Sequence, residues 1–266
     1  MSDALLGRDD SPIGEELWQV LDHTMLGVAR GELVGRRLLE LDGPFGLGLK
    51  QVSLADEEVG DGVSIAASLP LAYVYQTFVL PGRDIAAFER EPSSLDLSPL
   101  VTATLAVARK EDDLVFRGGE HAPGLLTASG VLRARLSDWT SVGVAQGDLI
   151  AAVTSLDEAG FHGPYALALG PARYNLLLRR FETAAVSELD AVRSIATAGV
   201  IKAPGLGHGG VIVQAGKEFA HLVIGQDLKL GFVGPQEGGL LQLSVSESLA
   251  LRLAVPQAVC VLGKPA

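Results

Sequence analysis

Residues 240–255 read LLQLSVSESLALRLAV, with large apolar side chains at alternate positions over most of the run. These apolar side chains all stand at odd positions: Leu241, Leu243, Val245, Leu249, Leu251, Leu253 and Val255. Glu247 is the single interruption. Because successive side chains of a β-strand point to opposite faces of the sheet, this period predicts a long strand with one buried face. Leu222 to Phe232 is the expected partner strand.

A long helix is predicted upstream, at residues 98–117. Ser98 followed by Pro99 is typical of a helix N-terminus, and Gly118-Gly119 is a plausible stop. The positions between them that follow the helical period are Leu100, Ala103, Thr104, Val107, Ala108, Glu111, Leu114 and Val115. We therefore expect one face to be buried over about five turns, with Glu111 turned inward.

The N-terminal quarter adds a second helix and a hairpin. Apolar residues at three- and four-residue spacing predict an amphipathic helix from Glu15 to Arg30. Residues 47–72 alternate loosely around an acidic tip, which predicts a two-stranded excursion. An isolated hairpin is only marginally stable, so this one needs a neighbour to rest on.

The middle third, residues 139–220, alternates helix-like and strand-like segments. A helix is predicted to begin at Asp148, followed by a buried strand at 165–169 and a helix from Ala172 to Phe181. Such alternation is typical of an α/β domain. The whole chain is therefore predicted to be α+β, with an α/β insertion.

Composition and charge exclude several classes of function. Apolar residues make up 48% of the 266 residues, which rules out a disordered chain. The net charge of −11 argues against nucleic-acid binding, which depends on phosphate contacts. The single cysteine, Cys260, cannot form an intrachain disulfide, and the first residues do not resemble a signal peptide, so we expect a cytoplasmic protein.

One uncharged stretch, residues 62–82, is long enough to cross a bilayer. Pro70, Gln76 and Pro81 interrupt it, and its aromatic and β-branched residues favour extended chain over a transmembrane helix. We therefore expect no membrane association.

No motif in the chain predicts catalysis or metal binding. Residues 205–210 have the Gly-x-Gly-x-x-Gly spacing of dinucleotide sites, but they lead into a predicted strand and are interpreted as a surface turn. The acids at 111–113 lie among basic residues and are interpreted as solvated or structurally paired. The five histidines lack metal-ligand spacing, no nucleophile elbow is present, and Cys260 lies in an apolar segment.

A series of short segments, spread over almost the whole chain, carries a resemblance to a known family. The segments are Trp18 with Asp22; Gly35-Arg36-Arg37; Asp42 to Gly46; Ser68 to Leu71; Glu111-Asp112 with Phe116 to Gly118; Gly124 to Leu126; Gly163-Pro164-Tyr165; Ile224 to Leu228 with Gly231-Phe232; and Ser246 to Leu249. In this order and spacing they resemble the encapsulin shell proteins, the linocin-like family that shares the fold of HK97-type phage capsids.

The resemblance implies an α+β, HK97 capsid-like fold. It implies an N-terminal helix and inner-wall arm (1–46), an extended loop (47–72), a peripheral domain (73–138 and 221–266) and an inserted apical α/β domain (139–220). Copies of the chain would close into an icosahedral nanocompartment through repeated heterologous contacts. The implied partners are other copies and a cargo enzyme, of the peroxidase or ferritin-like class, held on the inner wall by its targeting peptide.

The resemblance also implies two sites on the shell. The residues expected to bind the cargo peptide are Leu33, Arg36, Glu40, Leu228 and Leu230, with a structural ion pair as the alternative role for Arg36. The residues expected to line the fivefold pore are Glu182, Thr183, Ala184, Ala185, Val186 and Ser187. A ring of five Glu182 carboxylates would favour cations, unless this side chain points away from the axis. Arg83 stands where some relatives carry a flavin-stacking tryptophan, so no cofactor is expected.

Two other functions are open from the sequence. A phage major capsid protein would share the fold, and a soluble hydrolase is suggested by older protease and bacteriocin labels of the family. The missing catalytic motif disfavours the hydrolase. The helix at 15–30 disfavours the phage subunit, because a cargo-binding inner wall needs such a helix.

Overall fold

The computed structural model describes residues 3–91, 95–181 and 186–263. The chain forms two compact units, each of which is described by itself. The first unit comprises Met1–Leu33, Gly43–Glu111 and Val223–Ala250. The second unit comprises Val34–Asp42, Asp112–Leu222 and Leu251–Ala266.

Helices and strands alternate along the described chain, with short 3-10 turns between some of them. The α-helices are α1 (Glu15–Glu32), α2 (Gly35–Leu38), α3 (Gly82–Arg90), α4 (Ser98–Arg117), α5 (Val144–Glu158), α6 (Pro171–Leu176) and α7 (Glu188–Ile195). The strands are β1 (Glu40–Asp42), β2 (Gln51–Ser53), β3 (Glu57–Gly60), β4 (Val63–Ile65), β5 (Ser68–Pro70), β6 (Ala72–Pro81), β7 (Gly118–Gly119), β8 (Ala122–Pro123), β9 (Leu132–Arg135), β10 (Tyr165–Leu169), β11 (Gly199–Lys202), β12 (Gly210–Gln214), β13 (Ala220–Ile224), β14 (Lys229–Gln236), β15 (Leu240–Leu253) and β16 (Val259–Gly263).

The long strand predicted at the tail is β15, and it organises the sheet of the first unit. β6 pairs with it antiparallel, with Ala72 opposite Leu249. β14 also pairs with it antiparallel, with Lys229 opposite Ser246. β13 is a further neighbour of β15 in this sheet. The prediction of a long strand, with its partner between residues 222 and 232, is confirmed.

The prediction that β15 buries a single face is wrong for its second half. Leu243 and Leu249 are buried as expected, but Ser246 and Ser248 on the opposite face are buried as well. The backbone N–H of Gln226 donates to Ser248 Oγ at 2.8 Å, and its side-chain Nε2 donates to Ser246 Oγ at 3.0 Å. Small hydroxyl side chains with buried partners can lie inside a protein, which is why the polar face is also covered.

Both predicted amphipathic helices are present. α4 begins at Ser98 and ends at Arg117, and Glu111 on its inward face is fully buried. α1 begins at Glu15, extends two residues beyond the predicted end, and buries the stripe of Leu17, Trp18, Leu21, Met25 and Ala29. Burial of such a stripe is what holds a surface helix to its sheet.

The second unit contains a five-stranded mixed sheet in the order β11-β10-β12-β16-β9. β10 runs parallel to β11 and antiparallel to β12, and all five of its residues are buried, as the sequence predicts. The other two strands of this sheet, β9 and β16, lie outside residues 139–220, the range predicted for the α/β domain. The core on this sheet is built from large apolar residues that include Trp139, Leu149, Leu156, Leu167 and Leu177.

Two helix boundaries in the second unit differ from the prediction. α5 begins at Val144 rather than at Asp148. The Asp148 carboxylate instead accepts hydrogen bonds from the Ser137 backbone N–H at 2.7 Å and from Trp139 Nε1 at 2.8 Å, so it orders an upstream loop. α6 ends at Leu176 rather than at residue 181.

The uncharged stretch at residues 62–82 is extended chain, as expected. It forms β4, β5 and β6. Across the parts of the chain that the structure describes, no helix combines the length and the apolar character needed to span a membrane.

Candidate functional site

The hairpin predicted within residues 47–72 is present as an arm of two short antiparallel ladders. β2 pairs with β5, with Val52 opposite Leu69. Farther out, β3 pairs with β4, with Glu58 opposite Ser64. Every residue of β3 and β4 is exposed. The arm therefore presents both backbone edges and side chains to its surroundings.

The outer ladder of the arm carries exposed apolar side chains. Val59, Val63 and Ile65 are 56%, 54% and 57% exposed. Val63 and Ile65 project from one face of β4, and Ser64 projects from the other, because side chains alternate along a strand. Exposed strands with β-branched side chains are surfaces that pair with another chain. The arm thus has the chemistry of an interface.

An exposed aromatic pair lies where β6 leaves the base of the arm. The Tyr73 and Tyr75 rings are stacked, with centroids 5.9 Å apart, and both side chains are more than half exposed. Lys110 Nζ donates to the Tyr75 carbonyl oxygen and to Gln76 Oε1, both at 3.1 Å. The pair adds exposed aromatic surface to the sheet of the first unit.

The N-terminal segment is fastened to α1 by Arg8. Arg8 Nη2 donates to Asp22 Oδ2 at 2.7 Å, and the guanidinium carbon lies 4.2 Å from the centre of the Trp18 ring. Trp18 Nε1 donates in turn to Ser11 Oγ at 3.2 Å. A charge-assisted hydrogen bond combined with a cation–π contact fixes this arginine more firmly than either interaction alone.

The five residues predicted to bind a cargo peptide differ in exposure. Leu33, Leu228 and Leu230 are buried in the first unit. Arg36 is half-buried and Glu40 is exposed, and both belong to the second unit. The two charged side chains are therefore accessible from solvent, whereas the three leucines are not.

Arg36 lies on α2, a short helix whose start is held by Asp112. The backbone N–H groups of Val34 and Gly35 donate to Asp112 Oδ1 at 3.0 and 2.8 Å. Asp113 forms an i,i+4 ion pair with Arg117. The interpretation of Asp112 and Asp113 as structurally paired acids is therefore confirmed. The sequence pattern did not reveal that Asp112 positions the start of α2.

Four of the six predicted pore residues, Glu182 to Ala185, lie outside the described residues. Val186 is exposed, and Ser187 is the N-cap of α7. The Ser187 hydroxyl accepts a hydrogen bond from the Asp190 backbone N–H at 3.2 Å, and Asp190 Oδ2 accepts one from the Ser187 backbone N–H at 3.1 Å. This capping box holds the end of the predicted pore loop.

The other candidate features from the sequence are the metal-ligand residues, Cys260 and the glycine-rich segment at 205–210. Residues 3–91, 95–181 and 186–263 contain no group of three or more His, Cys, Asp or Glu side chains that could hold a metal ion. Cys260 is fully buried, and this burial raises the pKa of its thiol to about 11. Such a thiol is a poor nucleophile. The glycine-rich segment is a 3-10 turn followed by β12, as the sequence predicts.

Comparison with known proteins assigns the chain to a family. A family described as "Encapsulating protein for peroxidase" matches residues 2–250. The type 1 encapsulin shell protein EncA of Myxococcus xanthus is 35% identical over 275 aligned residues, which cover 97% of this chain and 96% of that protein. The chain belongs to the encapsulin family. Members of this family are shell proteins, so the chain has a structural role.

Solved structures show that this encapsulin has the HK97 capsid-type fold. The virus-like particle of Pyrococcus furiosus matches with a TM-score of 0.76 at 22% identity, covering 93% of this chain and 99% of that chain. The capsid protein of the Myoviridae phage XM1 matches with a TM-score of 0.63 at 12% identity, covering 88% of this chain and 92% of that chain. The fold is therefore shared with phage capsids, whereas the sequence follows the encapsulins.

The stacked Tyr73 and Tyr75 of this encapsulin were not singled out from the sequence. They stand at alternate positions of β6, with the buried Val74 between them. The sequence shows only that two aromatic residues stand two positions apart, and the same spacing occurs on buried faces of strands. Which face of β6 is exposed depends on what packs against the sheet, and the spacing alone does not reveal this.

Proposed function

We propose that this encapsulin is the subunit of a closed icosahedral shell that encloses a cargo enzyme and catalyses no reaction itself. The observation that carries the proposal is the exposed arm, because Val59, Val63 and Ile65 are each more than half exposed on paired strands. Large apolar side chains exposed close together on one arm are covered in a stable assembly. Tyr73 and Tyr75 add to the surface that neighbouring copies would bury.

Assembly is tested with the chain alone and with arm variants. The wild-type chain is expected to form hollow particles, seen by light scattering and negative-stain microscopy. The double variant Val63→Asp, Ile65→Asp places two charges on the apolar face and is expected to give small oligomers. Ser64→Asp adds a charge on the opposite face of the same strand and is the matched control. Particle formation by both variants, or a persistent wild-type monomer, would contradict the proposal.

The proposed inner-wall site for the cargo peptide comprises Leu33, Arg36, Glu40, Leu228 and Leu230. An extended peptide is recognised through its alternate side chains, which charged groups on the receiving surface can contact. Accessible side chains at Arg36 and Glu40 support this role, and Asp112 holds the short helix that carries Arg36. The cargo is proposed to be a peroxidase, which the family description names, or a ferritin-like protein, which is fused to the shell protein in a relative from Pyrococcus furiosus.

Charge reversal tests the cargo site without disturbing the buried leucines. Arg36→Glu is expected to lower the amount of cargo that co-purifies with particles, measured by mass spectrometry relative to the shell subunit. Arg37→Glu makes the same change at the exposed neighbouring position and is expected to preserve loading. Particle size is measured in parallel, so that loss of cargo is separated from loss of assembly. Unchanged loading in Arg36→Glu and in Glu40→Lys would refute the site.

The loop at 182–187 is proposed to line the fivefold pore, with Glu182 favouring entry of cations. A reporter enzyme is loaded and assayed with a cationic and an anionic substrate of equal size. Glu182→Gln is expected to lower the ratio of cationic to anionic turnover. An unchanged ratio would exclude Glu182 as a selectivity residue, and turnover by empty shells would contradict the proposal that the chain is not an enzyme.

The alternative of a phage capsid subunit is distinguished by the contents of native particles. A net charge of −11 per chain disfavours packaged nucleic acid. We therefore propose a compartment in the cytoplasm, with enzyme rather than DNA inside. Particles filled with DNA would favour the phage function instead.

A further inference from the structure

The second unit contains a cavity of about 400 Å³ that has no part in the proposed assembly, cargo or pore surfaces. It is lined by Asp138, Arg173, His208, Gly209 and Gly263. These residues come from the loop before α5, from α6, from the turn before β12 and from the end of β16. Cavities of this volume accommodate small molecules.

Arg173 is held rigidly at the wall of this cavity. Its side chain donates from Nε to the His208 carbonyl oxygen at 3.3 Å and from Nη1 to the Ser137 carbonyl oxygen at 2.8 Å. The guanidinium carbon lies 4.8 Å from the centre of the Trp139 ring. Arg173 is only 8% exposed. A guanidinium fixed at two nitrogens and stacked on an aromatic ring is preorganised for binding.

The cavity contains one cationic and one anionic group that do not satisfy each other. No hydrogen-bond acceptor among the described residues reaches Arg173 Nη2, and the Asp138 carboxylate has no ion-pair partner within the same ranges. Both residues line the cavity, and Asp138 is exposed whereas Arg173 is buried. The lining of the cavity therefore includes one residue of each charge.

We propose that this cavity binds a small zwitterion, with its phosphate or carboxylate group on Arg173 and its ammonium group on Asp138. Arginine binds both oxyanions through charge-assisted hydrogen bonds. Among the described residues, a Cβ atom at Gly263 would meet no atom within 4 Å, so there is room for a side chain beside this lining residue.

Binding is tested on the assembled wild-type protein by equilibrium dialysis with radiolabelled O-phosphoethanolamine and with β-alanine. The first probe carries a phosphate group and the second a carboxylate group, so the probe that binds more tightly identifies the preferred oxyanion. Inorganic phosphate and ethanolamine each carry one of the two charges. We expect the preferred zwitterion to bind about tenfold more tightly than either of them, the gain of one additional charge-assisted hydrogen bond.

Two variants test the geometry. Gly263→Val fills the space beside this residue without changing the charge and is expected to abolish binding. Circular dichroism shows whether the valine variant folds. If it does not, the smaller substitution Gly263→Ala replaces it. Asp138→Asn is expected to weaken zwitterion binding about tenfold while leaving inorganic phosphate binding unchanged or tighter. The proposal is overturned by absence of saturable binding to the wild type, by equal binding to Gly263→Val, or by binding to dissociated subunits alone, since a second copy would then fill the cavity.

Discussion

The carboxylate of Glu188 is wholly buried and accepts a hydrogen bond of 3.0 Å from Nη2 of Arg179. Its other oxygen accepts the backbone N–H of Gly143 at 2.6 Å, and Arg179 Nη1 donates to the Trp139 carbonyl oxygen at 2.9 Å. The pair therefore joins the two ends of the predicted pore loop to the loop that precedes α5. Its contribution is to hold a defined backbone geometry at the base of the pore loop.

Removal of Arg179 is expected to destabilise the second unit by about 3 kcal/mol, because it leaves a buried carboxylate without its counter-charge. Arg179→Met should lower the thermal unfolding midpoint clearly. Glu188→Gln removes the charge but keeps a hydrogen-bond acceptor, so a smaller decrease is expected. Arg180→Met, at the exposed neighbouring position, is the control. Equal midpoints for Arg179→Met and Arg180→Met would show that the buried pair is not stabilising.

The capping box at the start of α7 is expected to lose its contribution in acid. The side-chain and backbone hydrogen bonds of Ser187 lower the pKa of Asp190 below its ordinary value. A carboxyl with a lowered pKa stabilises the folded state above the range in which an ordinary aspartate titrates, about pH 4, and this contribution disappears as the pH falls through the lowered value.

Asp190→Ala tests this dependence. The variant should unfold at a lower temperature than the wild type at pH 6, and the difference should narrow at pH 3. Ser187→Ala should behave in the same way, because it removes the other half of the box. If the unfolding temperatures of variant and wild type differ by the same amount at pH 6 and pH 3, the ionised carboxylate of Asp190 does not stabilise the fold.

The Cys260 thiol is expected to be unreactive in the folded protein. Its burial and its pKa of about 11 leave almost no thiolate at pH 8. Ellman's reagent should therefore label no thiol in the native protein and one thiol per chain in guanidinium chloride. Rapid labelling of the native protein at pH 8 would contradict the buried position.

Two glycines in the second unit are expected to respond oppositely to alanine. A Cβ at Gly170 would lie 1.8 Å from the Gly207 carbonyl oxygen, so Gly170→Ala forces the two backbone segments apart. Gly147 lies in α5, where a Cβ would meet no atom within 4 Å. Gly147→Ala should stabilise the helix by about 1 kcal/mol, and Gly170→Ala should be clearly destabilising. Thermal unfolding of the two variants compares them, and a stable Gly170→Ala protein would refute the close approach.

Features with a local periodic signal could be predicted from the sequence. β15 and α4 repeat their apolar residues over many positions, and the arm combines alternation with a charged turn, so each was found with its approximate limits. Two glycines of the glycine-rich segment lie close to other backbone: a Cβ at Gly209 would be 2.9 Å from the Leu262 carbonyl oxygen, and a Cβ at Gly210 would be 2.8 Å from the Ala168 carbonyl oxygen. These two glycines serve backbone packing rather than phosphate binding.

Features that depend on distant partners could not be predicted. Asp148 has the residue type of a helix N-cap, but its carboxylate binds Ser137 and Trp139, and the helix starts one turn earlier. The pairing of β16 with β12 and β9 joins segments that are far apart in the chain. The cavity at Arg173 is likewise assembled from four separate segments, none of which carries a motif.

The buried position of Cys260 has a practical consequence, because it is the only cysteine in the chain. A cysteine introduced at Asp61, on the exposed turn between β3 and β4, would be the sole thiol open to labelling. A fluorophore attached there would sense its surroundings change when the arm of one copy meets the next. The chain is thus suited to timing shell closure optically, one dye per subunit, without prior removal of native cysteines.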